Sequence, residues 1–284
     1  MSRVPKDNVA PVAGGEQGGR NLLMRVAAAV VLAPLTVGIA YLGGWLWALL
    51  VLAAAVGLYV EWLTIVGAAR NTAVLVAGVV ALLVGGLCMV HWIAVAAAVM
   101  AAGLVVVAIA GGERRVWAAT GLAYAACALV ASDLVRGDAE TGFLALMFVL
   151  LVVWVTDIGG YFAGRGIGGP KLWPRVSPKK TWAGAIGGLV GSLVVAAVFA
   201  VLGLGRMGPL LALASVLSVV SQLGDLFESA VKRTFGVKDS SHIIPGHGGL
   251  LDRLDGFVAA IVFAALVGAL RGGIDGVGRG LMVW

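Results

Sequence analysis

The stretch Ser229–Asp255, SAVKRTFGVKDSSHIIPGHGGLLDRLD, lies between two strongly apolar runs and decides how the chain is read. It holds four Lys or Arg, three Asp, two His and a Pro-Gly-His-Gly-Gly turn. The runs on either side approach the length that crosses a bilayer, where each ionisable group near hydrocarbon costs free energy. A polar cluster in that setting has a use. Outward from it, long apolar runs alternate with polar connections along the rest of the chain. The 284 residues are 61% hydrophobic and 12% charged, against about 25% charged in a soluble domain. This composition excludes a soluble enzyme and describes an integral membrane protein.

Apolar runs of roughly twenty residues predict an all-α, polytopic protein of about nine transmembrane helices. The candidates are 22–42, 45–66, 72–90, 92–110, 116–131, 143–163, 181–204, 209–231 and 254–270, of which the fifth is the shortest. Ahead of them, residues 1–19 are polar, aperiodic and contain Gly and Pro, which predicts a disordered cytoplasmic tail. The first apolar run is too long for a signal-peptide core. Residues 20–140 then form an N-terminal set of transmembrane helices, and 141–284 a C-terminal catalytic region. The 43 glycines show no period, which suits close helix packing in lipid. Cys88 and Cys127 sit among apolar neighbours and read as packing residues.

Charge sets the orientation. With the N-terminus cytoplasmic, sixteen of the 20 Lys and Arg fall on the inner side; only Arg136, Arg206, Arg271 and Arg279 fall outside. The positive-inside rule supports that arrangement. Both large polar loops, 164–180 and 232–253, then face the cytoplasm at the cell membrane, where nucleoside triphosphates are found.

The eighth span carries Ser221, Asp225, Glu228, Ser229 and Lys232 at intervals of three or four, so they share one helix face. Two acids one turn apart in an apolar helix must meet a cation or line a wet cavity; a buried carboxylate–lysine pair that braces the bundle is the plainer alternative. Asp252 and Asp255 repeat the arrangement at the start of the ninth helix, where capping could account for one of them. If the ends of helices eight and nine approach, Asp225, Asp252 and Asp255 form an oxygen-rich cluster. Hard oxygen ligands without nearby Cys point to Mg²⁺, which takes one or two carboxylates plus substrate phosphates. Gly246, Gly248 and Gly249 let backbone N–H groups approach an anion. With Lys238, His247 and Arg253 beside it, that turn reads as a phosphate cradle.

The other polar loop, GRGIGGPKLWPRVSPKKTW (164–182), concentrates Arg165, Lys171, Arg175, Lys179 and Lys180 beside the membrane. Attraction to anionic headgroups is the simpler reading, at about 1 kcal/mol per basic residue. Ser177-Pro178-Lys179-Lys180-Thr181, however, opens the seventh span directly and is more ordered than a lipid-seeking tail requires. Asp157, with Tyr161 and Arg165 on its helical face, reads as an internal partner for a basic residue. Glu61 looks isolated and is assigned to packing or the interface.

Taken together, Ser229-x-x-Lys232-Arg233-x₄-Lys238-Asp239-x₅-Pro245-Gly246-His247-Gly248-Gly249-x₂-Asp252-Arg253-x-Asp255 resembles the signature of the phosphatidate cytidylyltransferase (CDP-diacylglycerol synthase) family. Gly224-Asp225-Leu226-x-Glu228-Ser229 and Ser177-Pro178-Lys179-Lys180-Thr181, followed by Gly184, resemble it too. Ala183 departs from the acidic or amide residue that members often carry there. The resemblance implies a membrane enzyme, typically a homodimer, that makes CDP-diacylglycerol and pyrophosphate from CTP and phosphatidate without nucleic acid. It also implies one or two Mg²⁺ ions on Asp225, Asp252 and Asp255, with Glu228 beside them. Lys232, Arg233, Lys238, His247, Arg253, Lys179 and Lys180 look like phosphate-binding groups, with Lys232 closest to the chemistry. Ser177, Thr181, Asp239, Gly248 and Gly249 complete the expected substrate-binding set. A cation-coupled transporter, a silent scaffold, and CMP transfer to another lipid phosphate are the competing readings.

Overall fold

The computed structural model describes residues 31–89, 91–241 and 248–284. The expected N-terminal tail, the start of the first span, and His242, Pro245, Gly246 and His247 lie outside the described residues. With no water to satisfy backbone groups inside a bilayer, apolar runs of this length close their hydrogen bonds internally as helices. The described residues hold eight helices long and apolar enough to cross a membrane. They are α2 (Gly44–Ile65), α3 (Thr72–Met89), α4 (Ile93–Ala110), α5 (Arg115–Gly137), α6 (Gly142–Gly166), α7 (Trp182–Val201), α8 (Met207–Thr234) and α9 (Leu251–Gly272). A shorter apolar helix, α1 (Val31–Leu42), precedes them. These nine match the nine expected spans, and the chain is a multi-pass membrane protein.

Three features go beyond the sequence reading. The fifth span was expected to stop at Ala131, but α5 runs to Gly137. Its polar end finds partners: Trp47 Nε1 donates to Ser132 O at 3.3 Å, and Arg136 donates to the carbonyls of Ala40 and Tyr41. Between α6 and α7 a small antiparallel hairpin pairs β1 (Lys171–Trp173) with β2 (Ser177–Thr181), with Lys171 opposite Thr181. After α9, a short helix α10 (Val277–Met282) folds back with Val277, Leu281 and Met282 buried.

The core centres on α2, where Leu58, Tyr59, Trp62 and Leu63 are fully buried. Their polar atoms are satisfied across the bundle. Tyr59 Oη donates to Val74 O at 2.9 Å, and Trp62 Nε1 to Trp117 O at 2.8 Å. Helices α6 and α7 approach closely because glycines line both faces. A side chain on Gly188 would start 2.6 Å from Thr156 O, and one on Gly184 2.8 Å from Gly160 O.

The helix ends sort into two groups, as up-and-down alternation requires. At one end the α1–α2 turn meets Arg136, and Asp138 accepts from Arg279 N–H at 2.9 Å. At the other end Arg114 lies 5.3 Å above the Phe235 ring and Glu61 reaches Ser240.

Asp138 locks the C-terminal segment to the α5–α6 turn. Burial by itself would raise its carboxyl, but hydrogen bonds from Thr141, Arg279 and Glu140 outweigh it and hold the group below its ordinary range. A depressed folded-state value stabilises the fold above the unfolded value and is lost as pH falls through the folded one. Asp138→Ala should therefore unfold at a lower temperature than wild type at pH 7. The gap should narrow as pH drops below the ordinary carboxylate range, which thermal unfolding in detergent across that range would measure.

Candidate active site

The site is built where α8 crosses α9. A Cβ on Gly224 would sit 2.7 Å from Asp255 O and 2.6 Å from Ala259 Cβ, and one on Gly256 would sit 3.1 Å from Ser221 O. Only glycine permits this approach. Asp225 directly follows Gly224 and Asp255 directly precedes Gly256, so the crossing draws these two acids together. Asp255 feels the charges of Asp225, Glu228 and Asp157. The α6–α7 contact adds the third acid, since it holds Asp157 within electrostatic reach of Asp225 and Lys180. Thr156 Oγ1, next to Asp157, donates to Ser218 Oγ at 3.0 Å and ties α6 to α8.

Two lysines answer these carboxylates. Lys232 Nζ lies 2.7 Å from Glu228 Oε2 and 2.5 Å from Asp252 Oδ1, with all three side chains largely removed from solvent. Lys180 Nζ, at the end of β2, lies 2.5 Å from Asp225 Oδ2. The expected buried carboxylate–lysine pair is thus present, and it forms part of a larger acidic and basic cluster. Asp157, which makes no ion pair among the described residues, belongs to this cluster through its neighbours.

The geometry gives the expected site residues distinct settings. Among the described residues, no three His, Cys, Asp or Glu side chains converge as a metal-holding group. Of the four acids expected at a metal, Glu228 and Asp252 pair with Lys232 and Asp225 pairs with Lys180. The second oxygen of Asp252 accepts from Ser240 N, Ser240 Oγ and Gly249 N, at 3.1, 2.9 and 3.2 Å. The Gly249 N–H is thus engaged by Asp252. The residue is glycine because a Cβ would collide with Ser240 Oγ at 1.7 Å. Gly248 does adopt the left-handed conformation that favours glycine, with φ 84°.

Thr181, expected at substrate, is buried and caps α7 by accepting from Gly184 N at 3.1 Å. Arg233 NH1 donates to Val237 O at 3.0 Å and ties down the turn that follows α8. Lys179, Lys238, Asp239 and Arg253 are exposed at the same end of the bundle, and Ser177 is half-buried on β2.

Glu61 is the residue the sequence reading missed. It is 1% exposed. Its carboxylate accepts from Ser240 Oγ at 3.2 Å, Ser241 Oγ at 2.5 Å, Leu250 N at 2.9 Å and Leu251 N at 2.7 Å. A lone acid inside an apolar span was the available signal; such groups are functional by default.

Beside the acids, an apolar groove of about 450 Å³ runs between α5, α8 and α9 at membrane depth, lined by Tyr124, Val220, Leu223, Phe227 and Val262 among others. Among the described residues Tyr124 Oη, buried at its inner edge, has no hydrogen-bond partner, and it lies within the field of Asp255 and Glu228.

Asp157, Asp225, Glu228, Asp252 and Asp255 gather against Lys180 and Lys232, buried at Glu228 and Lys232 and open to solvent at Asp157, and this excess of acid is one that a divalent cation would relieve. Exposed Lys and Arg at the same end suit a polyphosphate, and the groove suits an acyl chain. The fold and site together define a multi-pass membrane protein equipped for phosphate chemistry at the bilayer edge. The sequence profile of the Cytidylyltransferase family matches residues 23–270, and the chain belongs to that family. It is 43% identical to a phosphatidate cytidylyltransferase of Brucella suis over 263 residues, covering 88% of this chain and 94% of that protein. Shorter matches link it to proteins of the same name. One is from Haemophilus influenzae, 46% identical over 44% of this chain and 46% of the relative. Another is from Staphylococcus haemolyticus, 51% identical over 41% and 46% respectively.

Lys232→Ala should leave Glu228 and Asp252 unpaired, and breaking a buried pair from one side costs about 3–5 kcal/mol. A marked drop in the thermal midpoint is expected, with Lys232→Arg recovering much of it. An unshifted midpoint for the alanine variant would show that the pair does not brace the fold.

Proposed function

We propose that the chain is a phosphatidate cytidylyltransferase, transferring CMP from CTP to phosphatidate and releasing pyrophosphate, at the cytoplasmic face of the cell membrane and as a homodimer. Family membership supports the nucleotidyl transfer. The observation that carries the assignment to a lipid substrate is the apolar groove opening beside the acidic cluster at membrane depth. The excess of Lys and Arg at the site's end of the bundle supports the cytoplasmic orientation.

An oxygen of the lipid phosphate attacks the α-phosphorus of CTP. A phosphoric anhydride bond forms, the bond to the β-phosphate bridging oxygen breaks, and pyrophosphate leaves. A phosphate monoester is already anionic near neutral pH, so the attack needs no protein nucleophile and no general base. The obstacle is repulsion between two polyanions. Lys180, Lys179, Lys238, Arg233 and Arg253 lie at the end of the bundle where the triphosphate arrives, and their charge favours its binding. Lys232, held by Glu228 and Asp252, presents a fixed ammonium where charge builds on the leaving group, and preorganised charge of this kind acts in a dry site without reorganisation. Asp239 and Ser177 stand at the rim of the same region.

The donor set fits a hard cation bound partly by substrate oxygens. Asp225 would hold Mg²⁺ together with Asp255, with Asp157 adding negative field. Such an ion supplies charge neutralisation and alignment of the phosphates. The lipid tails stay in the groove, and Tyr124 Oη is placed to hydrogen-bond polar atoms near the lipid phosphate.

Incubating purified protein in detergent with phosphatidate and α-labelled CTP should give labelled lipid only when Mg²⁺ is present. No labelled lipid under any condition would reject the reaction. Asp225→Asn should lower turnover by a factor of about 10² or more, on the scale of losing an electrostatic contact to the transition state, while the protein stays folded. Near-normal Mg²⁺-dependent turnover in that variant would remove Asp225 from the cation. Leu223→Trp narrows the groove and should raise KM for long-chain phosphatidate more than for a short-chain analogue, leaving KM for CTP unchanged. Equal effects on both lipids would exclude the groove as the acyl site.

A further inference from the structure

Away from the acids on α8 and α9 stands Glu61 on α2, which no part of the reaction above uses. It lies 179 to 190 positions from the groups it binds. It takes four donors at once: two serine hydroxyls from the end of the polar loop and the backbone N–H groups of Leu250 and Leu251. Those two amides belong to the start of α9, where helix N–H groups lack intrahelical acceptors and the dipole favours a negative charge. The carboxylate thus occupies the position an external anion would otherwise take.

Ser240 links Glu61 to the reactive end. Its Oγ lies 3.2 Å from Glu61 Oε2 and 2.9 Å from Asp252 Oδ2. Asp252 in turn holds Lys232 Nζ at 2.5 Å. A continuous polar chain, Glu61–Ser240–Asp252–Lys232, therefore runs from the N-terminal helices into the site. The Gly249 backbone passes so close that a side chain would meet both Ser240 and Glu61, at 1.7 and 2.7 Å. At Gly249 the packing leaves no room for a side chain.

We infer that Glu61 is a positioning residue for nucleotidyl transfer: it sets the start of α9 and, through Ser240, the orientation of Asp252 and the Lys232 ammonium. The inference rests on the reaction proposed above. Glu61 touches no reacting atom. Its removal would take their carboxylate from Leu250 N and Leu251 N and one acceptor from each of the two serines, loosen the hold on Asp252, and unfix the lysine charge.

The test is a double-mutant cycle on the purified full-length protein in detergent, with phosphatidate, α-labelled CTP and Mg²⁺. Glu61→Gln keeps the shape but offers a single acceptor oxygen, and it should lower kcat at least tenfold. Glu61→Asp should recover part of that loss. Ser240→Ala should also lower kcat, and combining it with Glu61→Gln should cost far less than the product of the two single losses, because both act through one path. Hydrogen exchange at residues 250–251 should accelerate in Glu61→Gln while exchange in α3 and α4 stays unchanged. Wild-type activity in Glu61→Gln would overturn the inference. So would losses that multiply in the double variant, or a fall in activity that only follows a fall in folded protein. An inactive wild-type protein would instead overturn the reaction, and the exchange measurement would still judge Glu61.

Discussion

Lys232 stands between Glu228 and Asp252 in surroundings that exclude most water, and the three groups are stable there only together. A single charge in such a place would be expelled or neutralised. The pairing therefore demands that α8 and α9 meet at one depth and in one register. Gly224 and Gly256 make that contact possible, because each removes the atom that would hold the two helices apart. The same requirement extends outward. Lys180 must arrive from the β-hairpin to face Asp225, and α6 must press against α7 for Asp157 to join them. Packing of small residues and pairing of charges are two aspects of one constraint.

This constraint also explains the polarity of the site. Lysines matched to carboxylates one for one would make an inert brace. Here the carboxylates within electrostatic reach of one another outnumber the lysines paired with them, and the cluster opens on one side to exposed Lys and Arg and on another to an apolar groove. Such a site attracts a cation and phosphates from the aqueous side and a hydrocarbon chain from the lipid side. Reaction between a water-soluble nucleotide and a bilayer lipid requires both approaches. The protein's contribution is chiefly to bring like-charged groups together and hold the balancing charges still.

The four carboxylates expected at a metal sit in different settings, for a definite reason. Spacing of three or four residues on a helix says that Asp225, Glu228 and Lys232 share a face, but not which of them a neighbouring element will claim. Asp252 faces the site and is nevertheless surrounded by Ser240, Gly249 and Lys232. Gly249 and Thr181 carry the same ambiguity. A glycine that suits an anion also suits a tight contact with a serine, and a threonine before a helix is an N-cap before it is a ligand. Glu61 was discounted because its partners are remote in sequence, and nothing in a single chain read linearly connects α2 to the start of α9.

The chain by itself determined the spans, their alternation and the stretches that carry the chemistry. Hydrocarbon imposes a length and a polarity on each helix, and these are local properties written in consecutive residues. The tertiary structure alone decided which carboxylates share a lysine and which gather near Asp225. It also decided that the polar end of α5 finds partners, and that an acid in the N-terminal half holds the start of α9. Those outcomes depend on distances between helices. Such distances are set by the fit of glycines, serines and backbone atoms from separate elements, and residue spacing along one helix carries no record of them.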